Sequence, residues 1–372
     1  MANLLFVTWD GGGNVAPALE IARALVRRGD RVRFLGQPSQ RETIRSAGFD
    51  FEPYRNPGAW TATKDAGGAQ SANAFLRVLT NRGFGEDLLA SVERTPTDIV
   101  VIDCLLYGPL ETAEKAGLRR AVLMHSLYGA VSRTMASGPA GTIARVAGYR
   151  PRRMWAAADL VLVATLEELD LPPRRADAPV SLTYSGPALP DDLGAPQPGE
   201  PPPTVLVSLS TTFIPGQEHI VQAVLDGVGE LPVRGLVTIG PAIAPDRLRV
   251  PANTQAHRYL PHRTVMPTSS VLVGHGGHAT TMLALAHDLP LVIIPVNRKF
   301  DQPIIGKAVQ DAGAGILLPS SASPERIRGA IAIALADDSY RRQAARLGAA
   351  IRASQGTTTA AERLHSLATV PA

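Results

Sequence analysis

Along most of the chain, short apolar runs alternate with segments whose apolar residues recur every three to four positions. Leu4 to Trp9 is such a run. It is followed by the loop Asp10-Gly11-Gly12-Gly13-Asn14-Val15-Ala16-Pro17, and then by a stretch from Ala18 to Arg28 in which Leu19, Ala22, Leu25 and Val26 share one face, ended by Gly29. An apolar run of this length bounded by turn residues predicts a buried strand, and the 3.6-residue period predicts a helix. By the same reading Val32 to Leu35 is a strand, Arg41 to Ala47 a short helix and Phe49 to Tyr54 a strand. Strands follow at Asp98 to Asp103, Ala121 to His125, Leu160 to Ala164 and Leu182 to Ser185, with helices at Gly85 to Arg94 and Pro109 to Ala116. Strand–helix alternation of this kind implies a parallel sheet covered on both faces. Residues 55–85 read as irregular, with Trp60 and Phe75 in a Gly/Ala/Asn-rich setting, and residues 126–156, given no element, carry Tyr128, Met135, Tyr149 and Trp155 among glycines and arginines.

The stretch GPALPDDLGAPQPGEPPP at 186–203 is rich in proline and reads as an extended, semi-rigid linker. A second strand–helix series begins at Thr204, with strands near 204–209, 235–239, 255–259, 271–274, 291–294 and 315–318. Helices are expected near 217–230, 279–287, 303–312, 324–336 and 339–353, and a last one over Thr359 to Leu367 that has room to pack back across the linker. The expectation is an α/β chain of two doubly wound, Rossmann-like domains facing each other across a cleft. Residues 1–186 form the first domain, 187–203 the linker, 204–355 the second domain and 356–372 a C-terminal helix. Ligands of such sheets bind beyond the C-terminal ends of the strands.

Composition narrows the functions. The 372 residues fit about two domains at roughly 150 residues each. Lys+Arg 37 against Asp+Glu 33 gives a formal charge of +4, and the arginines are scattered with no basic block, which argues against nucleic acid as a partner. The single cysteine, Cys104, lies in an apolar run and reads as a core residue. No stretch reaches the ~20 apolar residues of a membrane span, and the N-terminus lacks the charged start of a signal peptide, so a cytoplasmic location is expected.

Two glycine turns carry the candidate chemistry. In Gly11-x-Gly13-x-x-Ala16 the spacing loosely matches a dinucleotide fingerprint, but the next strand ends Leu35-Gly36-Gln37, without the acidic residue a ribose would need. The other turn, His275-Gly276-Gly277-His278-Ala279-Thr280, joins a strand to a helix, where backbone N–H groups and the helix dipole favour an anion. Ser208, Ser210, Thr211 and Thr212 cluster at the end of another strand, and Asp301-Gln302 precedes Pro303 at the start of a helix. A tight turn with a capping histidine, and an N-cap aspartate ahead of proline, are the plain structural alternatives. No D-x-D or HExxH pattern is present, so no metal and no cofactor is expected.

These stretches resemble the family 1 glycosyltransferases with the GT-B fold, and among them the bacterial enzymes that glycosylate antibiotics and other natural products. The likeness rests on VLVSLSTTF, on RYLPHRTVMPTSSVLVGHGGHATTMLALAHDLPLVIIP, on DQP, and on GGNVAPALEIARALVRRG near the N-terminus. The resemblance implies an inverting, metal-independent transfer of a sugar or deoxysugar from a nucleotide diphosphate to a hydrophobic aglycone, by a monomer or homodimer. It implies that Tyr259 stacks on the base and His262 takes the next polar position. His275 with Gly276, Gly277, His278, Ala279 and Thr280 would hold the diphosphate, with Ser210 and Thr211 nearby, and Asp301 and Gln302 would bind the sugar hydroxyls. Gly12, Gly13, Trp60, Phe75 and Tyr128 fall on the acceptor side.

Two departures from the family pattern matter. Leu283 stands where a glutamate often binds the ribose hydroxyls, which favours a dTDP-linked donor over a UDP-linked one. Asn14 stands where the family commonly has the basic histidine or aspartate. Asp10, His125 and Asp103 are the remaining candidates for the base, in that order, with Asn14 positioning the acceptor. A nucleotide-sugar epimerase or hydrolase, or a nucleotide-sugar-binding protein without catalysis, would fit the same architecture. Donor turnover without acceptor, or binding without transfer, would distinguish them.

Overall fold

The structure is a computed structural model describing residues 1–370 except 57–59, 61–67, 172–178, 198–200, 210–213, 215, 241–242 and 299, with residues 68–73 and 245 described by backbone alone. It divides into two compact units. One holds the described residues of 1–190 and 354–370, the other those of 191–353.

The first unit is built on seven parallel strands: β1 (Asn3–Val7), β2 (Arg31–Gly36), β3 (Asp50–Pro53), β4 (Ile99–Asp103), β5 (Arg120–Met124), β6 (Leu160–Val163) and β7 (Leu182–Tyr184). Their spatial order is β3-β2-β1-β4-β5-β6-β7. The central strands are Leu/Ile/Val/Phe runs buried on both faces, as a sheet covered by helices requires. Strand order reverses between β1 and β4, so the chain leaving β1 and the chain leaving β4 diverge and open a crevice at the strands' C-terminal ends.

The last helix of the chain, Gly356–Thr369, belongs to this unit and lies against the helix Val15–Arg27. Ala360, Ala361 and Leu364 are fully buried and join Ala18, Ala22 and Leu25 in one core. The small alanines allow close approach of the helices, while Leu364 supplies the buried volume. Polar contacts fix the helix along its length. His365 Nδ1 meets Asp30 Oδ2 at 2.8 Å, and Arg119 donates to the carbonyls of Leu367 and Val370 at 3.2 and 2.6 Å.

The stretch that reads as irregular, and the one given no element, both contain helices. Residues 55–85 contain Gly68–Leu79 and the start of Gly83–Arg94, and 126–156 contain Tyr128–Val131, a π-helical turn Ser132–Ser137, Pro139–Val146 and Pro151–Ala156. Their described buried residues mix aromatics such as Phe84, Tyr128 and Trp155 with scattered Val78, Leu79, Val131, Met135 and Met154 and form no long regular apolar stripe. Tertiary packing of Tyr128 against Trp155, and of Tyr107 against Tyr149, organises them where local periodicity gives no signal.

The second unit repeats the plan with six parallel strands: β8 (Thr204–Ser208), β9 (Arg234–Thr238), β10 (Thr254–His257), β11 (Val271–Gly274), β12 (Leu291–Ile293) and β13 (Gly315–Leu317), in the order β10-β9-β8-β11-β12-β13. Its switch point lies between β8 and β11, so Ser208 and His275 leave the sheet side by side. Among the described residues no helix is long and apolar enough to cross a membrane.

Candidate active-site residues of the two units

In the first unit, the ends of β1, β4 and β5 bring together Asn14, Asp103 and His125. Asp103 is the last residue of β4, and its carboxylate is 5% exposed. Its Oδ2 accepts from Asn14 Nδ2 at 2.9 Å and pairs with His125 Nδ1 at 3.1 Å, while Oδ1 accepts from Leu105 N at 3.0 Å. Burial alone would raise the Asp103 carboxyl. The charge of His125 and the three donors outweigh it and hold the group below the usual carboxylate range. Burial alone would likewise lower His125, but the neighbouring Asp103 carboxylate, reinforced by Cys104, holds it well above the ordinary imidazole value. Cys104 itself is fully buried, and burial pushes its thiol up, so it is a core thiol rather than a nucleophile.

Asn14 uses its whole side chain. Besides the bond to Asp103, Nδ2 donates to Trp9 O at 3.1 Å and Oδ1 accepts from Gly11 N at 3.1 Å, which folds the glycine loop back on itself. A short polar stretch after β2 supports the same loop. Gln37 Oε1 accepts from Asp10 N at 2.8 Å, Gln40 Nε2 donates to Trp9 O at 2.9 Å, and Ser39 Oγ donates to Asp10 Oδ2 at 2.8 Å. None of these three residues stands out in sequence, because glutamine and serine at a strand end carry no pattern of their own.

Gly12 and Gly13 are exposed. Trp60 and Phe75 are half-buried and form an aromatic cluster with buried Trp9, with ring centroids 5.5–6.1 Å apart, and Trp60 Nε1 donates to Asp10 O at 2.6 Å. Tyr128, expected on the acceptor side, is instead 1% exposed and set edge-on against Trp155. It is a core residue. The backbone N–H groups of Tyr128 and Gly129 donate to Asp170, which pins that chain segment inside.

In the second unit, the turn after β11 has the geometry its glycines suggest. Gly276 adopts φ +82°, and a Cβ there would lie 2.8 Å from the carbonyl oxygen of Gln302. Gly277 is the N-cap of the helix His278–Ala286 in an extended conformation, and a Cβ on it would sit 2.4 Å from His275 Nε2. The imidazole of His275 therefore lies directly over the helix N-terminus. Burial depresses its pKa to about 4, against a partly opposing contact with the Ser208 backbone, so it is neutral at physiological pH. Ser208 Oγ is 3.0 Å from His262 Nε2, whose pKa burial also lowers.

Ala279 and Thr280 are half-buried in the first helical turn, whereas His278 is buried at 7%. Tyr259 is 77% exposed. Asp301 is the N-cap of the helix Gln302–Asp311. Gln302 is 8% exposed, and its Oε1 accepts from Asn297 N at 2.8 Å. Ser210 and Thr211 lie outside the described residues. Ser208, at the end of β8, is the described residue that meets both histidines, His262 through its hydroxyl and His275 through its backbone.

Comparison with known proteins agrees with this geometry. Residues 222–367 match the family described as erythromycin biosynthesis protein CIII-like, C-terminal domain. The chain is similar to 4'-demethylrebeccamycin synthase of Lentzea aerocolonigenes, 26% identical across 93% of this chain and 94% of that protein. Among solved structures it superposes on the glycotransferase of kitacinnamycin with a TM-score of 0.80, 22% identity, and coverage of 98% and 99% of the two chains. The glycosyltransferase VinC, solved in complex with dTDP, gives a TM-score of 0.72 at 18% identity over 98% and 99%. The chain is thus a sugar-transferring enzyme of the GT-B fold. Within that class it stands with the glycosyltransferases of natural-product biosynthesis, and its second unit, continued into the last helix, carries the EryCIII-like domain.

Proposed function

We propose that this glycosyltransferase moves a sugar from a dTDP-linked donor to a natural-product aglycone by a single inverting displacement. The observation that carries the reading is the His275–Thr280 turn. There a positive-φ glycine, a neutral imidazole and the N-terminus of the helix His278–Ala286 converge at the switch point of the sheet. As the bond to the anomeric carbon breaks, negative charge accumulates on the diphosphate. Backbone N–H donors and the helix dipole are aimed at that charge before it forms, which is the efficient way to stabilise it. The leaving group is thereby served without a metal or a bound cofactor. His275, being neutral, contributes a hydrogen bond rather than a charge. Exposed Tyr259 is available to stack on the base, and Asp301 with the amide nitrogen of Gln302 to bind sugar hydroxyls.

Donor choice is assigned to Leu283, half-buried on the same helix. Its side chain cannot accept a hydrogen bond, and a ribose hydroxyl left unpaired there costs about 1–3 kcal/mol. The solved complex of VinC with dTDP is consistent with a thymidine donor. Calorimetry with dTDP and UDP tests the reading, together with transfer assays in which the anomeric configuration of the product is determined by NMR. Clear superiority of UDP-sugars over dTDP-sugars, or retention of configuration, would refute it.

A further inference from the structure

Asn14 occupies the loop position at which the resemblance leads one to expect the base, and every hydrogen-bonding atom of its side chain is engaged. Both Nδ2 protons go to Asp103 and Trp9, and Oδ1 accepts from Gly11. Asp10 has a carboxylate, but its described side-chain partner is the hydroxyl of Ser39, so no buried ionic group orients it. His125 differs from both. Its Nδ1 is held by Asp103 Oδ2 at 3.1 Å, which leaves Nε2 as the nitrogen without a partner among the described residues. At 17% side-chain exposure it is also the most accessible member of a cluster in which Asp103 is 5% and Asn14 3% exposed.

We infer that His125 Nε2 is the base that takes the acceptor's proton, that Asp103 positions it, and that Asn14 clamps Asp103 from the loop where a base would otherwise stand. This deepens the transfer reading above and rests on it. Nε2 removes the hydroxyl proton as the acceptor oxygen bonds to the anomeric carbon. The bond from that carbon to the diphosphate oxygen breaks, and its electron pair leaves with dTDP. The proton on Nε2 then passes to solvent, and Asp103 stays ionised throughout. The arrangement has the logic of a carboxylate–imidazole pair, with one ring nitrogen fixed so that the other presents a lone pair.

The groups facing His125 are Asp103 and Cys104, both from the end of β4, and Asp103 also acts on the phenols of Tyr54 and Tyr107. With the Asp103 charge favouring the protonated ring, kcat/KM should rise along an alkaline-shifted limb. D103N should move that limb to lower pH and lower its plateau. The decisive comparison is H125Q against wild type with dTDP-glucose and a series of phenols of increasing acidity. General-base loss should cost roughly 10²–10⁴-fold with phenol. It should largely vanish with 2-chloro-4-nitrophenol, which is already ionised at the assay pH, and a merely structural defect would not discriminate between them.

Thermal unfolding of H125Q against wild type controls for folding, and calorimetric binding of dTDP controls for the donor turn of the second unit. Failure of wild type to bind dTDP would overturn the donor reading. The base assignment is judged separately by ¹⁵N NMR of the His125 ring, which, on the alkaline side of that limb where the ring has lost its extra proton, should show neutral imidazole protonated at Nδ1. A ring protonated at Nε2, or an equal loss across the phenol series, would overturn it.

Discussion

Replacing Gly276 and Gly277 one at a time by alanine separates backbone geometry from side-chain placement in the proposed diphosphate turn. At Gly276 the backbone is left-handed, with φ +82°, which costs an alanine about 1–2 kcal/mol. The added Cβ also meets the Gln302 carbonyl oxygen at 2.8 Å. That is roughly half an ångström inside ordinary carbon–oxygen contact, and the obstacle is backbone that cannot rotate away. Together these predict a loss of about 2–3 kcal/mol for G276A, or a fall in Tm of roughly 4–10 °C for a unit of this size. At Gly277 the backbone, φ −67° and ψ 130°, suits any residue, but the new Cβ lies 2.4 Å from His275 Nε2. G277A should therefore cost little stability while displacing the imidazole from the helix N-terminus. In differential scanning calorimetry G276A should melt early and G277A close to wild type, whereas in titration calorimetry both should bind dTDP at least tenfold more weakly. Wild-type affinity in both variants would refute the placement of the diphosphate. A Tm for G276A equal to wild type would refute the strain argument.

Other outcomes follow from the same contacts. L364A removes a fully buried side chain from the seam between the last helix and the first unit, and should cost about 2–5 kcal/mol in denaturant unfolding without changing dTDP affinity. L283E supplies an acceptor on the donor helix and should raise affinity for UDP relative to dTDP by about tenfold, read in competition assays. His275 has a folded pKa of about 4, below its unfolded value, so it binds a proton more readily when unfolded. Its contribution to stability is complete above about pH 6.5 and is lost as pH falls toward 4, by a total on the order of 3 kcal/mol that H275Q should abolish in pH-dependent melts. For the same reason dTDP affinity should not titrate through His275 between pH 6 and 9.

The chain's own pattern determined a good deal. Apolar runs such as Leu4–Phe6 and Val271–Val273 can only be buried strands, and glycines directly after them mark turns into helices, so the doubly wound fold and the location of both candidate turns were legible in one dimension. The identity of Asn14 and Leu283 was equally plain, because a missing proton acceptor or hydrogen-bond acceptor is a property of the residue type. Other features came from packing. The helices within 68–79 and 128–156 are set by contacts distant in sequence, Phe75 with Trp9 and Tyr107 with Tyr149 among them, and Tyr128 is drawn into the core by Trp155 and Asp170. The order of importance among Asp10, Asp103 and His125 also could not be read in advance. Each lies at or just beyond the end of a strand, and the sequence reading places Asp10 first. Only the parallel order β1-β4-β5 sets Asp103 between Asn14 and His125 and turns three separate strand ends into one hydrogen-bonded cluster. Residue type fixes what a side chain can do, but its pKa and its free atom are set by neighbours that are 89 and 22 positions away in the chain, and those neighbours exist only once the sheet has formed.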